Sequence, residues 1–314
     1  MKLNYKKIIK IIVSVGLVTL LILKVNWAEV WLNIQQAKIS FIILFTIFYF
    51  LGIMVSARKW QVLARFLGFK HKYFFYYKSY LLGTFVNNFL PSFVGGDAYR
   101  IYNLGQKKNK IKKSSLTVVA DRLSGLIGIM ILAGFFILLN YSVLQKVVVV
   151  NILLLVILVG ILSLVIIMIY PNTKFIQQLL KILPKTISDY IKEFGEFREQ
   201  RIFFPMMGYS FLFALVGIAI PNFFLFKAFG VEISFFNFLS VAFLTNLIAS
   251  LPISIGNIGV KEWAYVFFFG IFGVNLTSAV TIVMVARVIQ MLVSFLALPF
   301  YFKNKATFRK PIQN

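Results

Sequence analysis

The chain has 314 residues, of which 60% are hydrophobic and 17% aromatic, and its mean hydropathy is +0.88. Charged residues make up 13% of the chain, about half the share of a soluble domain, so a soluble globular protein is excluded. The formal charge of +24 reflects basic loops between membrane spans rather than a nucleic-acid interface. Cysteine is absent and His71 is the only histidine, so disulfides and thiol chemistry are excluded and no metal or other cofactor is expected.

Eight apolar segments follow one another along the chain, at about 8–24, 39–57, 74–94, 116–140, 147–170, 202–228, 236–251 and 277–302. A helix that crosses a bilayer takes roughly 17–25 residues. The first segment follows a basic start without a small-residue cleavage site after it, so we expect a retained span rather than a signal peptide. The pattern predicts an all-α polytopic membrane protein with a single integral membrane domain over 1–314.

The basic residues predict which segments cross. Of the 33 lysines and arginines, 26 lie in the two tails and in the stretches 57–78, 100–113 and 171–201. Basic loops are typical of the cytoplasmic face. Both termini are then cytoplasmic, and the first broken segment, 74–100, dips in from the cytoplasm as a re-entrant hairpin. By the same reasoning 236–275 dips in from outside, which leaves about six full spans, and we expect the protein in the cell membrane.

The two predicted hairpins resemble each other and indicate an internal repeat. NNFLPSFVGGDAYR (87–100) and NLIASLPISIGNIGVKEW (246–263) share an asparagine, a Leu-Pro pair, a serine, spaced glycines and terminal charges. Each precedes a long helix that contains an arginine. Proline and glycine suit a sharp reversal, and the predicted turn residues are Pro91, Gly95, Gly96, Pro252, Gly256 and Gly259.

The repeat has halves of about 8–170 and 202–302, which enter the membrane from opposite faces. The prolines of the two motifs are 161 positions apart, and the arginines of the following helices are 165 apart. Inverted-topology repeats with interrupted segments are typical of transporters, whose site lies between the halves. The connector 174–201 has apolar residues at helical spacing and is predicted as an amphipathic helix on the cytoplasmic surface.

Charged residues beside the hairpin breaks and inside apolar helices predict the site. An ionised group at membrane depth costs about 2.5–3.5 kcal/mol on insertion scales, so such groups face a bundle interior or a wet cavity. Asp121 and Arg122 are adjacent on a helix and are expected to find different partners. The predicted substrate-binding residues are Asn87, Asn88, Ser92, Asp97, Arg100, Asp121, Arg122, Asn246, Ser254, Lys261, Glu262 and Arg287.

The excess of arginine and lysine in this set favours a phosphate-bearing ligand, because a guanidinium binds tetrahedral anions through a fixed fork of donors. The alternative is structural: the same charges could form ion pairs that hold the hairpins to the long helices. The aromatic run YFFYYKSY (73–80) is interpreted as an interfacial belt.

These motifs resemble the flippase-like domain family, also called the lysylphosphatidylglycerol synthase transmembrane region. The resemblance rests on NNFLPSFVGGDAYR, VVADRLSGL (118–126) and LPISIGNIGVKEW (251–263), and covers about 8–302. It implies a lipid translocase whose functional residues are Asp97, Arg100, Asp121, Arg122 and Glu262. Asn257 stands where the family pattern would have glycine. Some members carry a soluble synthase domain; this chain ends without one, so no enzymatic activity is expected.

The predicted function is a flippase-like movement of a lipid head group across the bilayer while the tails stay in the hydrocarbon. The candidate lipids are an anionic or aminoacylated phospholipid and a polyprenyl-phosphate lipid. The expected partners are membrane lipids and no nucleic acid, with a second copy of the chain or a separate lipid-modifying enzyme as further candidates. The alternative function is a membrane-embedded transferase or hydrolase acting on a lipid-linked substrate, with the carboxylates as acid or base. A non-catalytic scaffold is the third reading.

Overall fold

The computed structural model describes residues 5–89, 94–106, 110–169, 202–251 and 253–300, which form helices joined by short turns and no strand. The helices are α1 (Tyr5–Lys24), α2 (Trp27–Gln35), α3 (Ile39–Phe66), α4 (Tyr73–Phe89), α5 (Val94–Gly105), α6 (Ile111–Leu139), α7 (Tyr141–Leu144), α8 (Val148–Ile169), α9 (Phe203–Ala228), α10 (Phe235–Ser250), α11 (Val260–Gly270) and α12 (Leu276–Ser294). Helices suit a membrane because each satisfies its backbone groups internally. The predicted all-α fold is confirmed.

Most of the segments predicted as spans are long helices. Four are long and apolar enough to cross a bilayer: α3, α6, α9 and the segment Leu276–Phe300 built on α12. α1 and α2 together form a fifth candidate, bent by 78° between the two helices. α8 adds a 22-residue helix with no charged side chain. The two segments predicted as hairpins are pairs of shorter helices, α4 with α5 and α10 with α11.

The stretch 57–78, which the sequence suggested as a basic loop, is partly helix. α3 continues to Phe66, and Lys59 within it is buried. The prediction of a loop was wrong there because hydropathy falls where α3 leaves the apolar run, whereas the helix itself does not end. The predicted turn residues Pro91 and Pro252, the candidate Ser92 and the connector 174–201 lie outside the described residues.

The described helices fall into two halves with one order of elements: a long helix, a helical hairpin and a second long helix. In the first half these are α3, α4–α5 and α6; in the second they are α9, α10–α11 and α12. The second long helix begins at Ile111 in one half and at Leu276 in the other, 165 positions later. The spacing equals that between the arginines in the sequence repeat.

The equivalent helices α3 and α9 pack against each other in opposite directions. The Lys38 N–H, at the start of α3, donates to the Ala228 carbonyl oxygen, at the end of α9, at 2.9 Å. Toward the other end of α3, Leu63 packs in one cluster with Met206 near the start of α9. Equivalent helices that pair antiparallel are related by a two-fold axis perpendicular to them.

The crossing of α3 and α9 depends on two glycines. Gly52 and Gly217 are 165 positions apart, and they are in direct contact: a Cβ on Gly52 would lie 2.5 Å from the Gly217 Cα. Small residues of this kind let transmembrane backbones approach closely. Because the contact joins equivalent positions of the repeat, it lies on the two-fold axis that relates the halves.

We predict that Gly52→Ala destabilises the protein by about 1–3 kcal/mol, because the added methyl overlaps backbone that cannot move aside. The measurement is thermal denaturation in detergent. Gly208→Ala, on α9 with nothing within 4 Å of an added Cβ, is the matched control and should leave the melting temperature unchanged or raise it, since alanine is the better helix former. Equal melting temperatures for the two variants would contradict the close contact.

Candidate functional site

Each half holds an ion pair between a carboxylate in the second arm of its hairpin and an arginine in the following long helix. Asp97 of α5 pairs with Arg122 of α6, whose Nε and Nη2 donate to the two carboxylate oxygens at 2.9 and 3.0 Å. Glu262 of α11 pairs with Arg287 of α12, whose Nη2 donates to Oε1 at 2.7 Å. In both halves the acid and the arginine are 25 residues apart. The same interaction therefore occurs twice in the fold.

Both acids lie in the first turn of their helix, where the positive end of the helix dipole favours a carboxylate. Glu262 Oε2 also accepts the Gly259 N–H at 2.7 Å. The turn before it needs left-handed backbone: φ is +58° at Gly256, +55° at Asn257 and +86° at Gly259. Gly256 and Gly259, two of the predicted turn residues, therefore both have a φ that glycine adopts without strain.

In the first hairpin the glycines have a different role from the predicted one. Gly95 and Gly96 lie within α5 and are helical, so they do not supply turn dihedrals. Instead the hairpin arms touch at Gly96, where an added Cβ would overlap the Gly83 carbonyl and the Asn87 amide. Asn87 Oδ1 accepts the Gly96 N–H at 2.7 Å. These contacts hold α4 tightly to α5.

A second, fully buried ionic group lies behind the Asp97–Arg122 pair. Arg100 Nη2 donates to Asp121 Oδ2 at 2.6 Å, and Lys59 Nζ lies 3.1 Å from Asp121 Oδ1. All three side chains are at most 3% exposed. Lys59 also donates to the Asp121 carbonyl oxygen at 2.8 Å, and Tyr80 donates its hydroxyl to Asp121 Oδ2 at 3.1 Å. The Arg100 guanidinium stacks on Tyr80 and Trp60, 4.2 and 4.5 Å from the ring centres.

As predicted, Asp121 and Arg122 point to different sides and have different partners. The buried group is joined to the outer pair through Arg100 Nη1, which donates to Asp97 Oδ1 at 3.3 Å. Arg122 is half exposed, at 51% of its side chain, and Asp97 is 22% exposed. The network therefore runs from the interior between α3 and α6 to a guanidinium at the protein's surface.

The second half lacks the buried ionic group. The positions 165 residues after Lys59, Arg100 and Asp121 are Phe224, Tyr265 and Ala286. Tyr265 instead donates its hydroxyl to Asn222 Oδ1 at 2.9 Å, a neutral hydrogen bond. The outer pair is thus common to both halves, whereas the inner ion pairs belong to the first half alone.

Each group has one more basic than acidic side chain. In the first, Lys59, Arg100 and Arg122 face Asp97 and Asp121. In the second, Arg287 pairs with Glu262, and Lys261 makes no ion pair with the residues that the structure describes. Its ammonium lies 5.9 Å from the centre of the Tyr265 ring. A single negative charge would neutralise either group.

The hairpins approach the same helix, α12. Asn88, at the end of α4, donates to Ser294 Oγ at 2.5 Å, while Arg287 Nη1 donates to the Gly256 carbonyl in the other hairpin's turn at 3.2 Å. Arg287 and Ser294 are two helical turns apart, about 10 Å along one face. Both hairpins therefore contact the same face of α12, about two helical turns apart.

Two other predicted residues take no part in the ion pairs. The Asn246 amide nitrogen donates to the Ala242 carbonyl oxygen at 2.8 Å, a hydrogen bond within α10. Ser254 is buried, and its hydroxyl has no hydrogen-bond partner among the described residues.

Sequence reasoning missed Lys59, Trp60 and Tyr80. Lys59 and Trp60 were counted in a loop because basic residues cluster there, and Tyr80 was part of the aromatic run read as an interfacial belt. The signal that could have found them is helical spacing, since Ser56, Lys59 and Leu63 lie on one face of α3 and all are buried.

The fold and charges define an integral membrane protein with a two-fold repeat and ionic groups in its hairpins. The chain belongs to the lysylphosphatidylglycerol synthase TM region family, whose model matches residues 7–297. It is also similar to the UPF0104 membrane protein PH1989 of Pyrococcus horikoshii, with 25% identity over 320 residues that cover 91% of this chain and 93% of that protein. No solved structure matches. The family resemblance that the motifs indicated is confirmed.

We predict that Asp121→Asn destabilises the protein by about 3–5 kcal/mol, because it leaves two buried cations, Lys59 and Arg100, without their shared partner. Asp97→Asn is the matched control: its pair with Arg122 is partly exposed, so the loss should be much smaller. Thermal denaturation of the purified variants measures both. A loss for Asp97→Asn as large as for Asp121→Asn would show that the inner group is not the structural one.

Proposed function

We propose that the protein moves the head group of an anionic phospholipid across the cell membrane without changing the lipid chemically. The observation that carries the proposal is the pair of equivalent arginines, Arg122 and Arg287, each partly exposed in a group with one excess positive charge. The family name, which refers to a phospholipid-modifying enzyme, supports a lipid ligand.

The depth of the two arginines supports this function. Each lies 11 residues after the start of its helix, α6 or α12. At 1.5 Å per residue this is about 16 Å, roughly half of a hydrocarbon core of about 30 Å. If the two helices start at opposite faces, as the antiparallel halves suggest, both guanidinium groups lie near the middle of the bilayer.

A partly exposed guanidinium at that depth favours an anionic ligand. Ionised groups facing lipid tails are costly, and Arg122 exposes half of its side chain. A phosphodiester satisfies such a group by two parallel charge-assisted hydrogen bonds. It carries one negative charge, which equals the excess in each group. In the absence of lipid, Asp97 and Glu262 hold the guanidinium groups, and a phosphate competes with them.

The proposal includes the topology predicted from the basic residues. The hairpin α4–α5 enters from the cytoplasm, α10–α11 enters from outside, and both termini are cytoplasmic. The two excess charges then act in sequence: a head group that enters from one leaflet binds beside one arginine and passes to the other. The acyl tails stay in the bilayer throughout.

We predict that Arg122→Gln and Arg287→Gln each slow lipid movement roughly ten- to one-hundred-fold, because a charge-assisted hydrogen bond contributes about 1.5–3 kcal/mol. The assay uses liposomes that contain purified protein and fluorescent phosphatidylglycerol, with dithionite quenching of the outer leaflet. Arg65→Gln, an exposed arginine in the last turn of α3, is the control and should transport at the wild-type rate.

Three results of this assay would overturn the proposal. The first is a rate of lipid movement no higher than in protein-free liposomes, and the second is an equal rate for wild type and both site variants. The third is a chemically altered lipid found by mass spectrometry. The last would support the transferase or hydrolase instead.

The topology is tested by introducing cysteines one at a time and labelling them, which is possible because the chain has no cysteine of its own. We predict that Cys at Lys70 and at Lys110, on either side of the first hairpin, react with an impermeant maleimide only from the cytoplasmic face. Cys at Glu232 and at Asn275, on either side of the second hairpin, should react only from outside. All four positions are exposed. Labelling of the two ends of one hairpin from opposite faces would show that it crosses the membrane.

A further inference from the structure

The turn between α10 and α11 contains two buried polar atoms without partners. Ser254 and Asn257 are each 5% exposed. The Ser254 hydroxyl and the Asn257 Oδ1 find no hydrogen-bond partner among the described residues. A buried polar atom is normally hydrogen-bonded, and each exception needs a physical explanation.

Asn257 has an unusual conformation as well as an unpartnered oxygen. Its φ of +55° is the only positive value at a non-glycine residue in the described chain. Asparagine is tolerated there more readily than most residues, but glycine would fit without strain. The amide nitrogen donates to the Ala249 carbonyl oxygen near the end of α10. That bond fixes the side chain and leaves Oδ1 as a buried acceptor.

These atoms lie beside the second ionic group. Asn257 directly follows Gly256, whose carbonyl oxygen accepts from Arg287 at 3.2 Å. Lys261, four residues further on in the first turn of α11, makes no ion pair with the described residues. The turn therefore combines an excess positive charge with an acceptor and a hydroxyl. An unpartnered oxygen alone would indicate nothing, since Asn151 has one as well, outside the two groups.

We propose that Asn257, together with Ser254, selects the head group at this site. Arg287 and Lys261 hold the phosphodiester, and Asn257 Oδ1 accepts a hydrogen bond from a hydroxyl or ammonium group attached to it. The proposal rests on the proposed function and deepens it. A carbonyl oxygen can only accept, so the turn favours a head group that carries its own donor over a phosphodiester that carries none.

Loss of such a bond gives strong discrimination, because a site built to bond a donor is left with an unpaired polar group when the donor is missing. The preference should therefore exceed what the shared negative charge provides. It should also disappear when the amide is removed while the backbone conformation is kept.

The experiment compares two fluorescent lipids in the liposome assay, phosphatidylglycerol and phosphatidylmethanol, with the same tails and the same single charge. Only the first has hydroxyl donors. We expect wild type to move phosphatidylglycerol at least ten-fold faster. Asn257→Gly removes the amide and keeps the backbone conformation, because glycine adopts a positive φ without strain. This variant should bring the two rates within about two-fold of each other, mainly by slowing the movement of phosphatidylglycerol. A third lipid, phosphatidylethanolamine, shows whether an ammonium donor serves as well.

Asn151→Ala is the matched control. Its amide nitrogen also donates to a backbone carbonyl, that of Gln145 at 2.7 Å, and its oxygen is also unpartnered. This variant should keep the wild-type preference. If Asn257→Gly does not fold, Ser254→Ala is measured in its place, with a reduced preference expected.

The outcomes separate the two proposals. If wild type moves both lipids equally, or if the folded Asn257→Gly keeps the preference, the selectivity proposal is wrong while translocation stands. If wild type moves neither lipid, the proposed function fails and the selectivity proposal fails with it.

Discussion

The pairing of a carboxylate in a hairpin with an arginine on the next long helix is the interaction on which the structure depends. It occurs as Asp97–Arg122 and again as Glu262–Arg287. In hydrocarbon a single arginine is costly, but a pair that is also part of a helix N-terminus is tolerated. Each pair anchors a hairpin of two short helices to the long helix that follows it. The repeat, the hairpins and the candidate site all follow from this one arrangement.

The two halves use the pairing differently. The first half adds the buried Lys59–Asp121–Arg100 group behind it, so α5 is tied to both α3 and α6. In the second half the equivalent positions are Phe224, Tyr265 and Ala286, and the hairpin is held by Glu262, the turn hydrogen bonds and apolar packing. Removing one partner of the first group is therefore expected to affect stability, whereas changes in the second turn are expected to affect selectivity. An almost symmetric backbone thus carries an asymmetric distribution of charge.

Much of the fold was predictable because the membrane restricts it so strongly. The apolar segments gave all six predicted spans as helices, and the basic residues singled out the two segments that are helix pairs. The motif glycines, together with Arg122 and Arg287, gave the repeat. What could not be predicted was burial: Lys59 looks like a loop lysine until α3 is seen to continue, and Gly96 looks like a turn residue until its contact with Gly83 is known. Both depend on packing between segments, which hydropathy does not encode.

The structural and the functional interpretations of the charges apply to different residues. Asp121 has three partners and is almost wholly enclosed, so there is no room for a ligand without dismantling the interior. Arg122 and Arg287 expose 51% and 36% of their side chains, which a purely structural pair at membrane depth would not require. In the proposed function the inner group is therefore the support, and the outer pairs are the candidate binding groups. Arg100 contacts both Asp121 and Asp97, so the inner group also positions the carboxylate with which a phosphate competes in the proposed function.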